Sequence, residues 1–171
     1  MRKWAVVAIG LAVATLAAGC SSSAKLVNHS SGSSTPATVG DTLALHTAAG
    51  HPFSVTLTQV VDPAQGSGSS TPPNGDRYVA TVFKITNNSG EGISGNAAAD
   101  ANLVGANGNT YLPAHVTTAT CAGNGSKYHL SSGSSATACV SFQLKTQVGL
   151  TKVQFFPAAG SASDYGEWLV H

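Results

Sequence analysis

From Val39 onward the chain runs in short stretches where apolar and polar residues alternate, separated by clusters of Gly, Ser, Asn, Asp and Pro. A period of two puts every second side chain on one face, the pattern of a strand with one buried side. Asp41 to Thr47 places Leu43 and Leu45 together. Phe53 to Val61 points Phe53, Val55 and Leu57 one way and Ser54, Thr56 and Thr58 the other. Val60-Val61 breaks that period, predicting a bulge or a strand end before Asp62-Pro63. Ala64 to Asp76 is rich in Gly, Ser, Thr and Pro and predicts a long exposed, plain disordered loop. Arg77 to Thr86 carries Val79, Phe83 and Ile85 on one face and further apolar residues on the other, as a central strand does. It ends at Asn87-Asn88-Ser89-Gly90.

Ala101 to Ala106 and Asn109 to Leu112 flank Asn107-Gly108, a hairpin signal because both residues tolerate positive φ. Thr137 to Lys145 turns Val140, Phe142 and Leu144 inward, and Thr151 to Phe156 and Glu167 to Val170 complete about eight strands. No window past residue 38 shows a 3.6-residue apolar period, which argues against helices and parallel βαβ units. The fold class expected is all-β, an immunoglobulin-like antiparallel β-sandwich of about eight strands, with a small β-barrel as the structural alternative.

The N-terminus reads differently. Arg2 and Lys3 precede an apolar run of 15 residues, Trp4 to Ala18, shorter than the roughly 20 needed to span a bilayer. Such a charged start, short apolar run and small-residue end is the pattern of an export signal. Leu16-Ala17-Ala18-Gly19-Cys20 resembles the lipobox of bacterial lipoproteins. The family usually has Leu three places before the cysteine, where this chain has Ala17. The resemblance implies cleavage after Gly19 and a diacylglyceryl group on Cys20. Two acyl chains hold a protein stably at a membrane, whereas one holds it marginally. Ser21 to Thr38 is Ser-rich and has few apolar residues, so it reads as a flexible tether reaching about 20–25 Å on average. The expected organisation is a signal peptide at 1–19, a lipidated terminus and tether at 20–38, and a sandwich domain at 39–171.

The order of motifs within the domain carries a second resemblance. Val39-Gly40-Asp41-Thr42-Leu43 is followed by Val60-Val61-Asp62-Pro63, Asn74-Gly75-Asp76-Arg77-Tyr78-Val79 and Ile85-Thr86-Asn87-Asn88-Ser89-Gly90. Then come Asn102-Leu103-Val104, Asn107-Gly108-Asn109-Thr110-Tyr111, Leu130, Gly133 and Cys139-Val140-Ser141-Phe142-Gln143-Leu144. Together they resemble the telokin-like domain of unknown function (number 4352) of bacterial surface lipoproteins. That family is similar in fold to small secreted mycobacterial immunoprotective antigens. The resemblance implies an immunoglobulin-like sandwich at the cell surface and brings no catalytic residues with it.

Charge narrows the function classes. Without the leader, six basic residues stand against seven acidic ones, a formal net charge of −1. A chain with no basic patch has no electrostatic footprint for nucleic acid. The sequence lacks a nucleophile elbow, a phosphate loop and a His-Glu-x-x-His metal motif. Its only glutamates, Glu91 and Glu167, are far apart in sequence. His46 and His51 flank the turn Thr47-Ala48-Ala49-Gly50, where a copper or zinc site is conceivable. Exposed polar residues beside a turn give the same pattern, and that is the reading favoured, as it is for His115 and His129. Trp168, with Tyr165 near it, is expected to plug the sandwich core rather than form a ligand platform. Once Cys20 is acylated, Cys121 and Cys139 remain, and an exported pair is normally oxidised. Cys139 is out of phase with Val140, Phe142 and Leu144, so the bridge is expected on the outside of its strand, away from the core.

The function expected is a non-enzymatic binding module on the extracellular face, anchored in the membrane through the lipid on Cys20. Its partner would be an unidentified protein or envelope ligand, with no cofactor, metal or nucleic acid. Two alternatives are kept: a metal or small-ligand carrier using His46 and His51, and a hydrolase whose site is assembled from distant residues.

Overall fold

The computed structural model describes residues 36–157 and 164–171. The leader, Cys20 and the tether up to residue 35 lie outside them. Eleven strands and one turn of helix are present among the described residues. The eight expected strands are all there: β2 (Thr42–His46), β3 (Pro52–Ala64), β4 (Asp76–Asn87), β6 (Ala101–Gly105), β7 (Thr110–Tyr111), β9 (Ser135–Lys145), β10 (Leu150–Phe155) and β11 (Gly166–Leu169). Three short strands are additional: β1 (Ala37–Thr38), β5 (Ile93–Asn96) and β8 (Lys127–Leu130), with helix α1 (Ala97–Asp100) after β5.

These strands form two facing sheets and a ribbon. One sheet has the order β2-β3-β4-β9, the other β1-β11-β10-β6-β7, and β5 pairs with β8. All pairings are antiparallel except β1 with β11. The molecule is an antiparallel β-sandwich. Alternation explains the core: Leu43, Leu45, Phe53, Val55, Leu57, Val79, Phe83, Ile85, Val140, Phe142 and Leu144 face inward from the first sheet. Ala101, Leu103, Val153, Phe155 and Trp168 meet them from the second. The Phe83 ring lies 5.2 Å from Phe155 edge-on and 6.1 Å from Trp168. Trp168 is fully buried and its Nε1 donates to the Asp41 carbonyl at 2.9 Å, so it plugs the core as expected.

β4 is central, flanked by β3 and β9, and buried on both faces. The broken period in β3 is a bulge rather than an end. The register shifts between Leu57 and Gln59 and again between Val61 and Ala64, and pairing with β4 continues to Ala64. Asn107-Gly108 makes the β6–β7 turn, with Gly108 at φ 77°.

Two expectations need correction. The tether ends earlier than Thr38: Ala37 is fully buried beside Trp168, in parallel register with β11. A two-residue strand of small side chains carries no apolar signal. The loop after Ala64 is not a disordered excursion. Gly66 bridges Thr118, Ala119 N donates to the Gln65 carbonyl at 2.7 Å, and the Tyr78 hydroxyl donates to the Thr71 carbonyl at 2.9 Å. Backbone pairing, to which composition is blind, orders it. The outer face of β4 and β9 is covered, as the apolar residues on both faces of β4 led us to expect. Ala64, Tyr78, Ala80, Cys121 and Cys139 form a second buried cluster there, against which Val61, Val82 and Val116 pack.

Candidate functional site

The chain leaves the β6–β7 hairpin at Leu112 and crosses toward β9. Pro113 bridges Phe142, and Ala114 N donates to the Ser141 carbonyl at 2.9 Å, so this segment lies along the edge of β9. The chain then folds over the outer face of the four-stranded sheet. Thr118, fully buried, donates its amide N–H to the Ser141 hydroxyl at 3.2 Å, and the two hydroxyls pair at 3.1 Å. Turn bonds from Cys121 N to the Thr118 carbonyl (3.0 Å) and from Asn124 N to the Cys121 carbonyl (3.0 Å) curl the loop. Cys121 is joined to Cys139 with Cα atoms 5.2 Å apart. Cys139 does face away from the main core, but it is only 4% exposed, because the loop it holds covers it.

On the other side stand β5, α1 and β8. The Asn96 side chain caps α1 by accepting from Ala98 N at 3.1 Å, and Ala97 N donates to the Ser126 carbonyl at 2.8 Å. Tyr128 lies so close to Gly95 that a Cβ there would fall 2.2 Å from its hydroxyl oxygen. Burial, with the Asp100 carboxylate beside it and hydrogen-bonded to it, pushes the Tyr128 hydroxyl well above the ordinary phenol range. Tyr128 therefore stays neutral and serves as a hydrogen-bond donor that keeps the buried Asp100 carboxylate in place.

Between these walls lie two adjoining open hollows, of about 310 and 410 Å³. They share the wall Ala98, Pro113, Ala114 and His115. The smaller reaches the disulfide, Asn124 and Ser126, and the larger reaches Asn96, Asn102 and Leu112. Leu112, at the larger hollow, is 69% exposed. No Asp, Glu, Lys or Arg lines either hollow, and His115 is the only titratable group in them. Such a groove offers hydrogen bonds and apolar contact to an uncharged ligand.

The other residues singled out from sequence lie elsewhere. His46 and His51 have different hydrogen-bond partners. Asp164 Oδ2 accepts from the His46 backbone at 2.8 Å and lies 3.2 Å from its Nδ1. His51 closes the turn through Thr47, by accepting from its amide at 2.9 Å and donating to its hydroxyl at 3.1 Å. Among the described residues no three of His, Cys, Asp and Glu come together. His129 pairs across the ribbon with Ser94, Nδ1 to Oγ 2.5 Å, on an exposed surface outside the groove. Tyr165 stacks on Phe156 at 4.8 Å. Glu167 is held by Lys152 and Gln154 at 2.9 and 2.8 Å, while Glu91 sits in the turn after β4. Asn96, Asn102 and Leu112 escaped the sequence reading. The one available signal was a large apolar residue directly before Pro113, at a point where the strand had to stop.

No family model matches the sequence, and no curated protein matches it. Solved structures share the fold. The yjhA protein of Bacillus subtilis superposes with a TM-score of 0.56 at 15% identity, over 79% of this chain and 99% of its own. The secreted protein MPT63 of Mycobacterium tuberculosis gives 0.54 at 13%, over 81% and 100%. The candidate lipoprotein ycdA of Bacillus subtilis gives 0.55 at 8%, over 74% of this chain, which spans 38% of that protein's length.

Proposed function

We propose that this chain is a lipid-anchored surface module of the bacterial envelope that acts by binding rather than by catalysis. The observation that carries the binding reading is the uncharged double hollow walled by Ala98, Pro113, Ala114 and His115. The space between the sheets is filled by Trp168, Phe83, Phe155 and Phe142, so the groove considered for a ligand lies on the outside. Export is supported by the leader, by the placement of Cys20 and by the oxidised pair Cys121–Cys139, since disulfides persist outside the cytoplasm. The neighbours in fold agree with it: one is described as a secreted protein and one as a candidate lipoprotein. The telokin-like assignment rests on the order of motifs in the sequence. The carrier and hydrolase alternatives draw no support from the surroundings of His46, His51, Glu91 and Glu167.

The test is sedimentation with isolated envelope of residues 21–171, produced without leader or lipid, comparing the parent with Leu112→Glu. Leu112 is exposed, so the change leaves folding intact while placing a charge at the groove. Loss of binding with an unchanged melting temperature is expected. Equal binding by the two proteins contradicts the assignment of the groove.

A further inference from the structure

The chemistry of the groove says what kind of ligand it takes. Three carboxamides line it, Asn124 in the smaller hollow and Asn96 and Asn102 in the larger. A primary amide carries two donors and an acceptor, so one side chain can satisfy both the N–H and the C=O of a peptide unit. Asn96 spends its oxygen on Ala98 N, which leaves its NH₂ group. The Asn102 and Asn124 side chains make no hydrogen bond with any described residue and are left to water or to a ligand. Around them the surface is aliphatic: Ala98, Leu112, Pro113, Ala114 and Val116. No Phe, Tyr or Trp lines the groove, so it lacks the aromatic faces on which sugar rings pack. An absence of charge excludes strong affinity for ionic ligands, because a desolvated ion needs a partner of opposite sign.

We infer, on the groove reading given above, that the ligand is an extended, uncharged peptide segment. Its backbone would pair with Asn102 and Asn124, and two small apolar side chains, two residues apart, would enter the two hollows. In an extended chain residues i and i+2 fall on the same face about 6.6 Å apart, which lets neighbouring depressions be filled together. Main-chain pairing with pockets for alternate side chains is a general way of holding an extended peptide.

The test uses the mature protein in detergent and follows the side-chain amide signals of its Asn residues by NMR. The probes are the blocked neutral peptide acetyl-Ala-Val-Thr-Val-Ala-amide, the same peptide with Glu in place of both Val residues, and chitotetraose as a neutral glycan. The neutral peptide is expected to shift the Asn102 and Asn124 signals. The acidic peptide should bind about tenfold more weakly or worse, and Asn102→Asp, an isosteric change, should weaken the neutral peptide about tenfold. Shifts produced by the glycan and not by the peptide overturn the peptide inference while keeping the groove as the site. Equal binding of the neutral and acidic peptides overturns it also. No shift at these residues with any probe overturns both the inference and the groove on which it rests.

Discussion

Opening the Cys121–Cys139 bridge should weaken the domain without unfolding it. The two cysteines are 18 residues apart in sequence, and closing a loop of that size is worth about 3 kcal/mol on the chain-entropy relation. The folded state loses little in return. Both sulfurs lie in the satellite cluster with Ala64, Tyr78 and Ala80, and a free thiol there behaves as a small apolar group, so no large void opens. The loop keeps its other ties: Thr118 with Ser141, Gly66 with Thr118, and Cys139 N donating to the Gly125 carbonyl at 3.2 Å. None of the main core residues depends on the bridge. At about 2–5 °C per kcal/mol for a domain of this size, the melting temperature should fall by about 10 °C. The assay is a thermal melt followed by circular dichroism, with and without reductant, and with a Cys121→Ala/Cys139→Ala double variant. Near-ultraviolet dichroism and fluorescence of Trp168 report whether the core survives. Complete unfolding at room temperature on reduction would show that the bridge does more than close a loop. A fall under about 2 °C would show that the loop is held without it.

Two further outcomes follow from buried polar groups. The Thr81 hydroxyl is fully buried without a hydrogen-bond partner, in a row whose neighbours Val79 and Phe83 are core residues. Thr81→Val, nearly the same shape, should therefore stabilise the domain by about 1–3 kcal/mol in urea unfolding, and destabilisation would show that the hydroxyl has a partner. Lys145 Nζ lies 2.6 Å from Asp76 Oδ1, and Gln143 donates to its Oδ2 at 2.6 Å; this pairing with Lys145, then with Gln143, holds the carboxyl below its ordinary 3.8. Its contribution to stability is fully present above that value and is lost as pH falls through the lowered native value. Asp76→Asn should thus cost stability at pH 7 and flatten the loss between pH 4 and pH 2 in thermal melts. An unchanged acid profile would refute the role of that carboxylate.

How far the sequence carried the fold depends on the length of each element. β3, β4 and β9 are long enough for alternation to show, and their inward residues were legible one by one. Lys127–Leu130 also alternates, with Tyr128 and Leu130 buried, but four residues are too few to stand out from a loop. The partner strand Ile93–Asn96 carries a Gly where Tyr128 packs, and reads as a turn until that contact is seen. Ala37 is buried because β1 forms the edge of the second sheet beside Trp168, and nothing local distinguishes it from the tether before it. The outward direction of Cys139 was legible from its phase, whereas its burial was not, since the covering loop reaches it only through tertiary folding. The groove was legible at one point only, Leu112 before Pro113. Its walls come from β5, α1, β6, the segment after β7, the disulfide loop and β9, which tertiary folding alone brings together.

Anchoring through Cys20 is tested most directly by the intact mass and detergent partitioning of the protein isolated from cell envelopes. The expected form begins at Cys20, carries the mass of a diacylglyceryl group there, and enters the detergent phase, while a Cys20→Ala variant is released to the aqueous phase or keeps its leader. A parent protein without added lipid mass, or a variant that partitions as the parent does, would contradict the reading of this chain as a lipid-anchored surface module.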